Sequence, residues 1–147
     1  MMLNVRTSLY DRDYYLWLET TANHLKRGEL GSLDIANLIE ELESLGRKEK
    51  AELRNRLIVL FEHLLKLKYW KSELEWNKRG WQNTITEQTV QIELLIQDSP
   101  SLKYSLNEIN AVAYKNALRI TKNKTQLKDL PEKNPFDLEQ ILFQENP

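Results

Sequence analysis

Residues 33–70 read LDIANLIEELESLGRKEKAELRNRLIVLFEHLLKLKYW, and this stretch decides the fold. It contains no proline and a single glycine, Gly46. Apolar residues recur along it in steps of three and four, a spacing that aligns side chains along one side of an α-helix. These residues are Ile35, Leu38, Leu42, Leu45, Leu53, Leu57, Leu60, Leu64 and Leu67. A long helix with one apolar side needs partner helices to cover it, so the stretch predicts a helical bundle.

Gly46 marks the weakest point of this predicted helix. The apolar pattern is interrupted between Leu45 and Leu53, where the corresponding positions hold Glu49 and Glu52. Glycine costs about 1 kcal/mol relative to alanine inside a helix, which a bend tolerates without a full break. The interruption slightly favours two helices joined tightly near Gly46 over one bent helix.

The segment before this stretch predicts a first helix over residues 12–27. Asp11 is the expected N-cap, and Gly28 suits the end of the helix. Its apolar side is expected to be buried in the bundle. That side consists of Tyr14, Trp17, Leu18, Thr21, Ala22 and Leu25.

The segments after the stretch predict further helices separated by polar turns. They are expected at residues 81–97, 100–123 and 136–143. The last helix is short and has Asp137 as its cap, within a loop-containing tail over residues 124–147. Residues 1–9 show no helical pattern and are expected to be loose. We therefore expect one all-α domain over residues 1–147, a bundle of four to five helices with a short C-terminal helix.

Composition places the chain among compact globular proteins. Its 147 residues are 41% hydrophobic and 29% charged, enough for one core and too apolar for a wholly disordered chain. The formal net charge is -1, so bulk attraction to nucleic acid or anionic membrane is not expected. The absence of cysteine excludes disulfides and thiolate metal sites. No signal-peptide core and no run of ~18 apolar residues is present, so a cytoplasmic protein without membrane contact is expected.

Glu40, Glu41 and His63 form the candidate cluster for chemistry. Paired carboxylates bind divalent metals or share proton transfer. His63 would meet Glu40 or Glu41 if the two halves of the long stretch folded together, and it would then be placed as a general base. Helical metal sites usually place a histidine three residues after a glutamate, and neither His63 nor His24 follows that pattern. A solvated acidic helix face and a hydrogen-bonded structural histidine are the simpler interpretation, so no metal or cofactor is expected.

Two further groups predict an interaction surface. Trp76 and Trp81 lie where aromatic and basic residues alternate, a composition that binds single-stranded nucleic acid or closes the end of a helical bundle. Lys115, Arg119 and Lys122 recur in steps of four and three and form one basic line along a predicted helix. Such a line steers a charged partner or pairs subunits. A solvated charged face is the simpler alternative.

Several segments carry a resemblance to a known family. They read YDRDYYLWLETTANHLKRGEL, LDIANLIEELESLGRKEK, HLLKLKYW, GWQNTITEQ, DSPSLKYSL and AYKNAL. In this order and spacing they resemble the bacterial domain-of-unknown-function family 29, over about residues 9–145. The resemblance implies an all-α domain with no assigned biochemical activity. Most family positions have structural explanations as caps, core residues or turns, whereas Glu40, Glu41, Arg47 and His63 do not, so these are the positions to examine for function.

The sequence favours a small cytoplasmic protein-interaction or regulatory domain without catalytic activity. This interpretation rests on amphipathic helices, balanced charge and the absence of a P-loop, a dinucleotide fingerprint, an HExxH motif and a GxSxG motif. The expected partner is another protein or a second copy of the chain. Two alternatives stay open. One is a nucleic-acid-linked regulator of the antitoxin type, and the other is a metal-dependent or acid–base enzyme using Glu40, Glu41 and His63.

Overall fold

A computed structural model describes residues 8–144 of the chain. Within that range the chain forms α-helices and no β-strand, which confirms the all-α fold with a short C-terminal helix. The helices are α1 Leu9–Arg12, α2 Tyr14–Lys26, α3 Ile35–Tyr69, α4 Leu74–Asp98, α5 Leu106–Thr125 and α6 Leu138–Ile141. Short 3-10 turns occupy Leu30–Ser32, Lys71–Glu73 and Pro100–Ser105. None of these helices combines the length and the apolar character needed to cross a membrane.

The chain divides into two compact units, Met1–Arg47 and Lys48–Pro147. The first unit holds α1, α2 and the beginning of α3, and the second holds the rest of α3 with α4, α5 and α6. The expectation of a single domain stays a prediction. The loose segment expected at residues 1–9 lies outside the described residues except for Ser8 and Leu9, where α1 begins.

α3 is one helix, so the break that the sequence slightly favoured at Gly46 does not occur. Asp34 caps its N-terminus, because the Asp34 Oδ1 atom accepts the backbone N–H of Asn37 at 3.3 Å. Gly46 has no left-handed backbone, and a Cβ atom placed there would meet nothing within 4 Å. The residues that follow Gly46 are strong helix formers, and a cost of about 1 kcal/mol for one glycine does not outweigh them.

The first unit begins with two helices where the sequence predicted one. Ser8 caps α1, since its hydroxyl oxygen accepts the backbone N–H of Asp11 at 3.3 Å. Asp13 caps α2 by accepting the N–H of Leu16 at 3.1 Å. Because each helix has its own side-chain cap, the chain breaks at Asp13 and does not run continuously from Arg12.

The second unit is built around an apolar core from three long helices and the C-terminal segment. Phe61 of α3 lies edge-on to Tyr114 of α5, with ring centroids 5.7 Å apart. The core residues are Leu53, Leu57, Leu60, Phe61, Leu65, Ile92, Ile96, Leu102, Ala113, Tyr114, Ala117, Leu118, Leu130, Leu138 and Leu142. Asp137 caps α6 as predicted, accepting the N–H of Glu139 at 3.0 Å.

The starts of α4 and α5 differ most from those predicted in the second unit, and α6 is shorter than the predicted 136–143. α4 begins at Leu74, ahead of the expected start at Trp81, because a glycine at position 80 is tolerated inside a helix when no special backbone conformation is needed. The helix expected to start at Pro100 begins as a 3-10 turn, and α5 proper starts at Leu106. Serines favour caps and turns over helix interiors, which explains the irregular entry.

Candidate functional site

Glu41 is a buried carboxylate of the first unit and is only 7% exposed. The phenol of Tyr10 donates a hydrogen bond to its Oε2 atom at 2.9 Å. The phenol of Tyr14 donates a short hydrogen bond to its Oε1 atom. A buried carboxylate costs several kcal/mol unless hydrogen bonds compensate it. The two phenols supply such bonds, and they tie α1 and α2 to the beginning of α3.

Glu41 also changes the acidity of both tyrosines. The hydrogen bond to its carboxylate, with smaller contributions from desolvation and negative charge, raises the pKa of Tyr14 to about 12. The same hydrogen bond is the largest cause that raises the pKa of Tyr10. Both phenols therefore stay protonated at neutral pH and act there as hydrogen-bond donors. This geometry orders the first unit.

An aromatic cluster surrounds this carboxylate. Tyr10 lies edge-on to Trp17 with ring centroids 4.8 Å apart, and Tyr14 stacks on Trp17 at 6.2 Å. The Trp17 indole is buried, and its Nε1–H finds no acceptor among the described residues. Tyr10 was not among the candidate residues predicted from the sequence. The spacing of Tyr10, Tyr14 and Trp17 by four and three residues is the signal that would have found it.

The apolar side expected to be buried on the first helix is largely exposed. Only Trp17 and Thr21 of the six residues assigned to it are buried in α2. Four exposed residues recur along α2 in steps of three and four and so align along the helix. They are Tyr15, Leu18, Ala22 and Leu25. Periodicity identified an apolar side correctly, but buried neighbours cover only part of it.

α3 carries a matching exposed apolar line within the first unit. It consists of Ile35, Ile39, Leu42 and Leu45. α2 and α3 run antiparallel, because residues 27–34 join the end of α2 to the start of α3 and Tyr14, at the start of α2, contacts Glu41.

The two exposed lines lie on the same side of this helical hairpin. Leu18 directly follows the buried Trp17, and Leu42 directly follows the buried Glu41. One residue turns an α-helix by about 100°. Since the helices are antiparallel, the same sense of rotation brings both lines to one side. We refer to the eight residues of the two lines as the N-terminal apolar face.

Glu40 lies on the exposed part of the same helix. Its Oε1 atom accepts a hydrogen bond from Nη2 of Arg47 at 3.1 Å, and both side chains are exposed. An exposed ion pair of this kind contributes about 0–1 kcal/mol. Neither compact unit contains all three residues of the cluster proposed for chemistry, since Glu40 and Glu41 belong to the first and His63 to the second.

His63 is engaged with the backbone of its own helix. Its Nδ1 atom lies 2.8 Å from the carbonyl oxygen of Val59, which makes Nδ1–H a donor to that carbonyl. This contact matches the structural histidine that the sequence offered as the simpler interpretation. A catalytic pairing of His63 with Glu40 or Glu41 stays a prediction.

Glu62, the residue before His63, belongs to a buried ion cluster that was not predicted from the sequence. Its Oε2 atom accepts a hydrogen bond from Nζ of Lys66 at 2.9 Å, and Nζ of Lys124 lies 3.2 Å from both carboxylate oxygens. Burial raises the pKa of Glu62, but the hydrogen bonds and charges of the two ammonium groups outweigh it, so the pKa is lowered overall. The spacing of Glu62 and Lys66 by four residues on α3 was the available signal.

The two predicted tryptophans occupy different environments. Trp76 is 82% exposed on α4. Trp81 is 8% exposed and stacks on Trp70, with ring centroids 5.8 Å apart and an interplanar angle of 15°. The burial of Trp81 agrees with the packing role that the sequence allowed as an alternative. A binding role for either residue stays a prediction.

The predicted basic line lies on α5. Lys115 and Arg119 are exposed there, and Lys122 donates a hydrogen bond to the carboxylate of Glu132. Lys124, which extends the positive charge, contacts Glu62. Two of these four cations are therefore paired with carboxylates of the second unit.

An open cleft of about 600 Å³ lies elsewhere in the second unit, between α5 and the C-terminal segment. Its apolar lining comes from Leu106, Phe136, Leu138, Leu142 and Phe143. None of the candidate residues singled out from the sequence lines it. Among residues 8–144, no group of three or more histidine, aspartate or glutamate side chains is arranged to hold a metal ion.

Comparison with known proteins identifies a family. A family model with the description "Domain of unknown function DUF29" matches residues 9–146. No curated protein and no solved structure matches the chain.

Proposed function

The chain belongs to the DUF29 family, whose description assigns no function. For this member of the family we propose the function of a cytoplasmic protein-interaction domain. The observation that carries the proposal is the N-terminal apolar face. The proposed action is noncovalent binding of another polypeptide by this face.

The arrangement of exposed apolar residues supports the proposal. Single exposed leucines are ordinary on protein surfaces, whereas aligned groups mark contact sites. Among residues 8–144, ten of the sixteen large hydrophobic residues that are exposed belong to the first unit, although it is the shorter unit. Covering a half-exposed leucine or isoleucine is worth about 1 kcal/mol. A partner that covers the whole face therefore gains a substantial free energy of binding.

The surroundings of the face also resemble an interface. Interfaces combine an apolar centre with a polar, charged rim. Three exposed charged residues, Glu19, Lys26 and Glu43, each directly follow a leucine of the face. Leucine and isoleucine side chains on regular helices also lose little conformational entropy on binding.

Affinity capture with three versions of the full chain tests the proposal. The versions are wild type, Leu45→Glu on the face and Leu94→Glu on α4. Leu45 and Leu94 are 49% and 46% exposed, so the same substitution is compared at matched exposure. The partner recovered with wild type should fall at least about tenfold with Leu45→Glu, because a charge then enters an apolar contact.

Leu94→Glu is the control for this experiment. Recovery of the same partner by Leu94→Glu at the wild-type level is expected. Equal recovery by all three versions would remove the face from the interaction and contradict the proposal. Circular dichroism of each version should show the same helix content, since both positions are exposed.

A nucleic-acid-linked regulator remains the second candidate, supported by the exposure of Trp76, Lys115 and Arg119. Steep, salt-dependent retention on heparin is its expected sign, because each phosphate contact releases counterions. Loss of retention in a Lys115→Glu, Arg119→Glu variant would assign it to α5. Absence of retention at low salt would count against this candidate.

A further inference from the structure

We infer that the N-terminal apolar face is covered by the same face of a second copy of this chain. This inference rests on the proposed function and names its partner. The resulting dimer has a twofold axis that lies in the plane of the contact and relates identical surfaces.

The shape of the first unit favours this occupant. Two antiparallel helices with one apolar side are half of a four-helix bundle, and a second identical hairpin completes it. The face consists almost entirely of aliphatic side chains on regular helices, so the surface that best matches it is another surface of the same kind. The chain itself supplies that surface.

The size of the face is also sufficient. α2 has 13 residues, and with a rise of ~1.5 Å per residue and helices ~10 Å across the face measures ~20 by ~20 Å. Its projected area is ~400 Å², and side-chain relief brings the accessible area towards the ~800 Å² that each partner buries in a standard interface.

The edge of the face carries both signs of charge. Exposed Glu19 and Lys26 directly follow Leu18 and Leu25 on α2, and exposed Glu43 directly follows Leu42 on α3. An edge with both signs can meet its own copy with opposite charges in contact, whereas an edge of one sign would repel its copy.

Sedimentation velocity of the purified full chain tests the inference. The mass of wild type should rise with concentration from that of one chain to that of two. Leu45→Glu should weaken dimerisation at least ~30-fold, a change typical of a central interface residue. Leu94→Glu should dimerise like wild type, since its leucine has matched exposure and lies outside the face.

The outcomes separate this inference from the proposed function. A wild-type chain that stays monomeric at all concentrations tested overturns self-association. If Leu45-dependent capture of another protein persists in that case, the proposed function stands with a different partner. If capture also shows no dependence on Leu45, both proposals fall.

Discussion

At the scale of single residues, the buried carboxylate of Glu41 explains how the first unit is ordered. It accepts hydrogen bonds from Tyr10 and Tyr14, which belong to α1 and α2. A glutamate in a predicted acidic patch thus joins three helices. The resemblance marked the position, and the burial of Glu41 supplies its physical explanation.

Substitution Glu41→Gln should lower the pKa of Tyr14 from about 12 towards the ordinary value of 10.0, because the neutral amide no longer favours the protonated phenol. A spectrophotometric titration of tyrosine ionisation measures this change. In wild type, the stability that the Tyr14 contact supplies should be complete below pH 10 and lost as the pH rises towards 12. Tyr14→Phe is the control, since it should remove the late ionisation. An unchanged titration of Glu41→Gln would contradict the contact.

Glu62 should make the stability of the chain depend on pH in the acid range as well. In the folded chain the pKa of Glu62 lies below its ordinary value of 4.5. The stability that the ionised carboxylate contributes is therefore complete above pH 4.5 and is lost as the pH falls through the lowered pKa. Wild type should therefore be more stable than Glu62→Gln at pH 7, and the difference should shrink in acid. Urea unfolding at a series of pH values measures it. A difference that does not change with pH would contradict the ion cluster.

Lys66 and Lys122 allow a comparison of buried and exposed ion pairs. Lys66→Ala removes one partner of the buried Glu62 and should cost about 3 kcal/mol of unfolding free energy. Lys122→Ala removes an exposed pair with Glu132 and should cost less than about 1 kcal/mol. Denaturant unfolding of both variants gives the two values. Equal costs would show that burial does not strengthen the Glu62 cluster.

At the scale of elements, Gly46 tests the continuity of α3. Gly46→Ala should stabilise the chain by about 0.5–1 kcal/mol, because alanine has the higher helix propensity and its Cβ meets nothing within 4 Å. Gly28→Ala is the matched control and should destabilise, since Gly28 has φ +69°, which is strained for alanine. Thermal unfolding compares the two. Destabilisation by Gly46→Ala would indicate that a joint exists there after all.

Helix identity was predictable at this scale, and helix boundaries were less so. The recurrence of leucines from Leu53 onward predicted the core side of α3, and Asp34 and Asp137 act as the expected caps. The break at Asp13 was missed because Asp11 and Asp13 are both good caps, and only the contact of Asp13 with Leu16 decides between them. The predicted break at Gly46 was wrong because the low helix propensity of one glycine costs little free energy compared with interrupting a continuous hydrogen-bonded helix.

The candidate site was less predictable than the fold. A periodic pattern gives the apolar side of a helix, but the extent of its burial depends on which neighbours the chain supplies. Leu18 and Leu25 were expected inside and lie at the surface. Tyr10 and Glu41 come together across 31 residues, and no local spacing encodes that contact.

At the scale of the whole molecule, the two units differ in how they use their apolar residues. The second unit buries them around a core that includes Phe61, Ile92 and Leu118. The first unit leaves an aligned apolar face exposed. We therefore propose that recognition belongs to the first unit, and substitutions on the face should change binding more than stability.

The most direct test of this central claim is site-specific photo-crosslinking in living cells. A benzophenone amino acid replaces Leu42 on the face or, as the control, Leu94 on α4, both of which are exposed. Irradiation should join the Leu42 derivative to a protein, with an adduct of twice the chain mass if that protein is a second copy. The Leu94 derivative should give no such adduct. Absence of any adduct from Leu42, or the same adducts from both positions, would contradict the account.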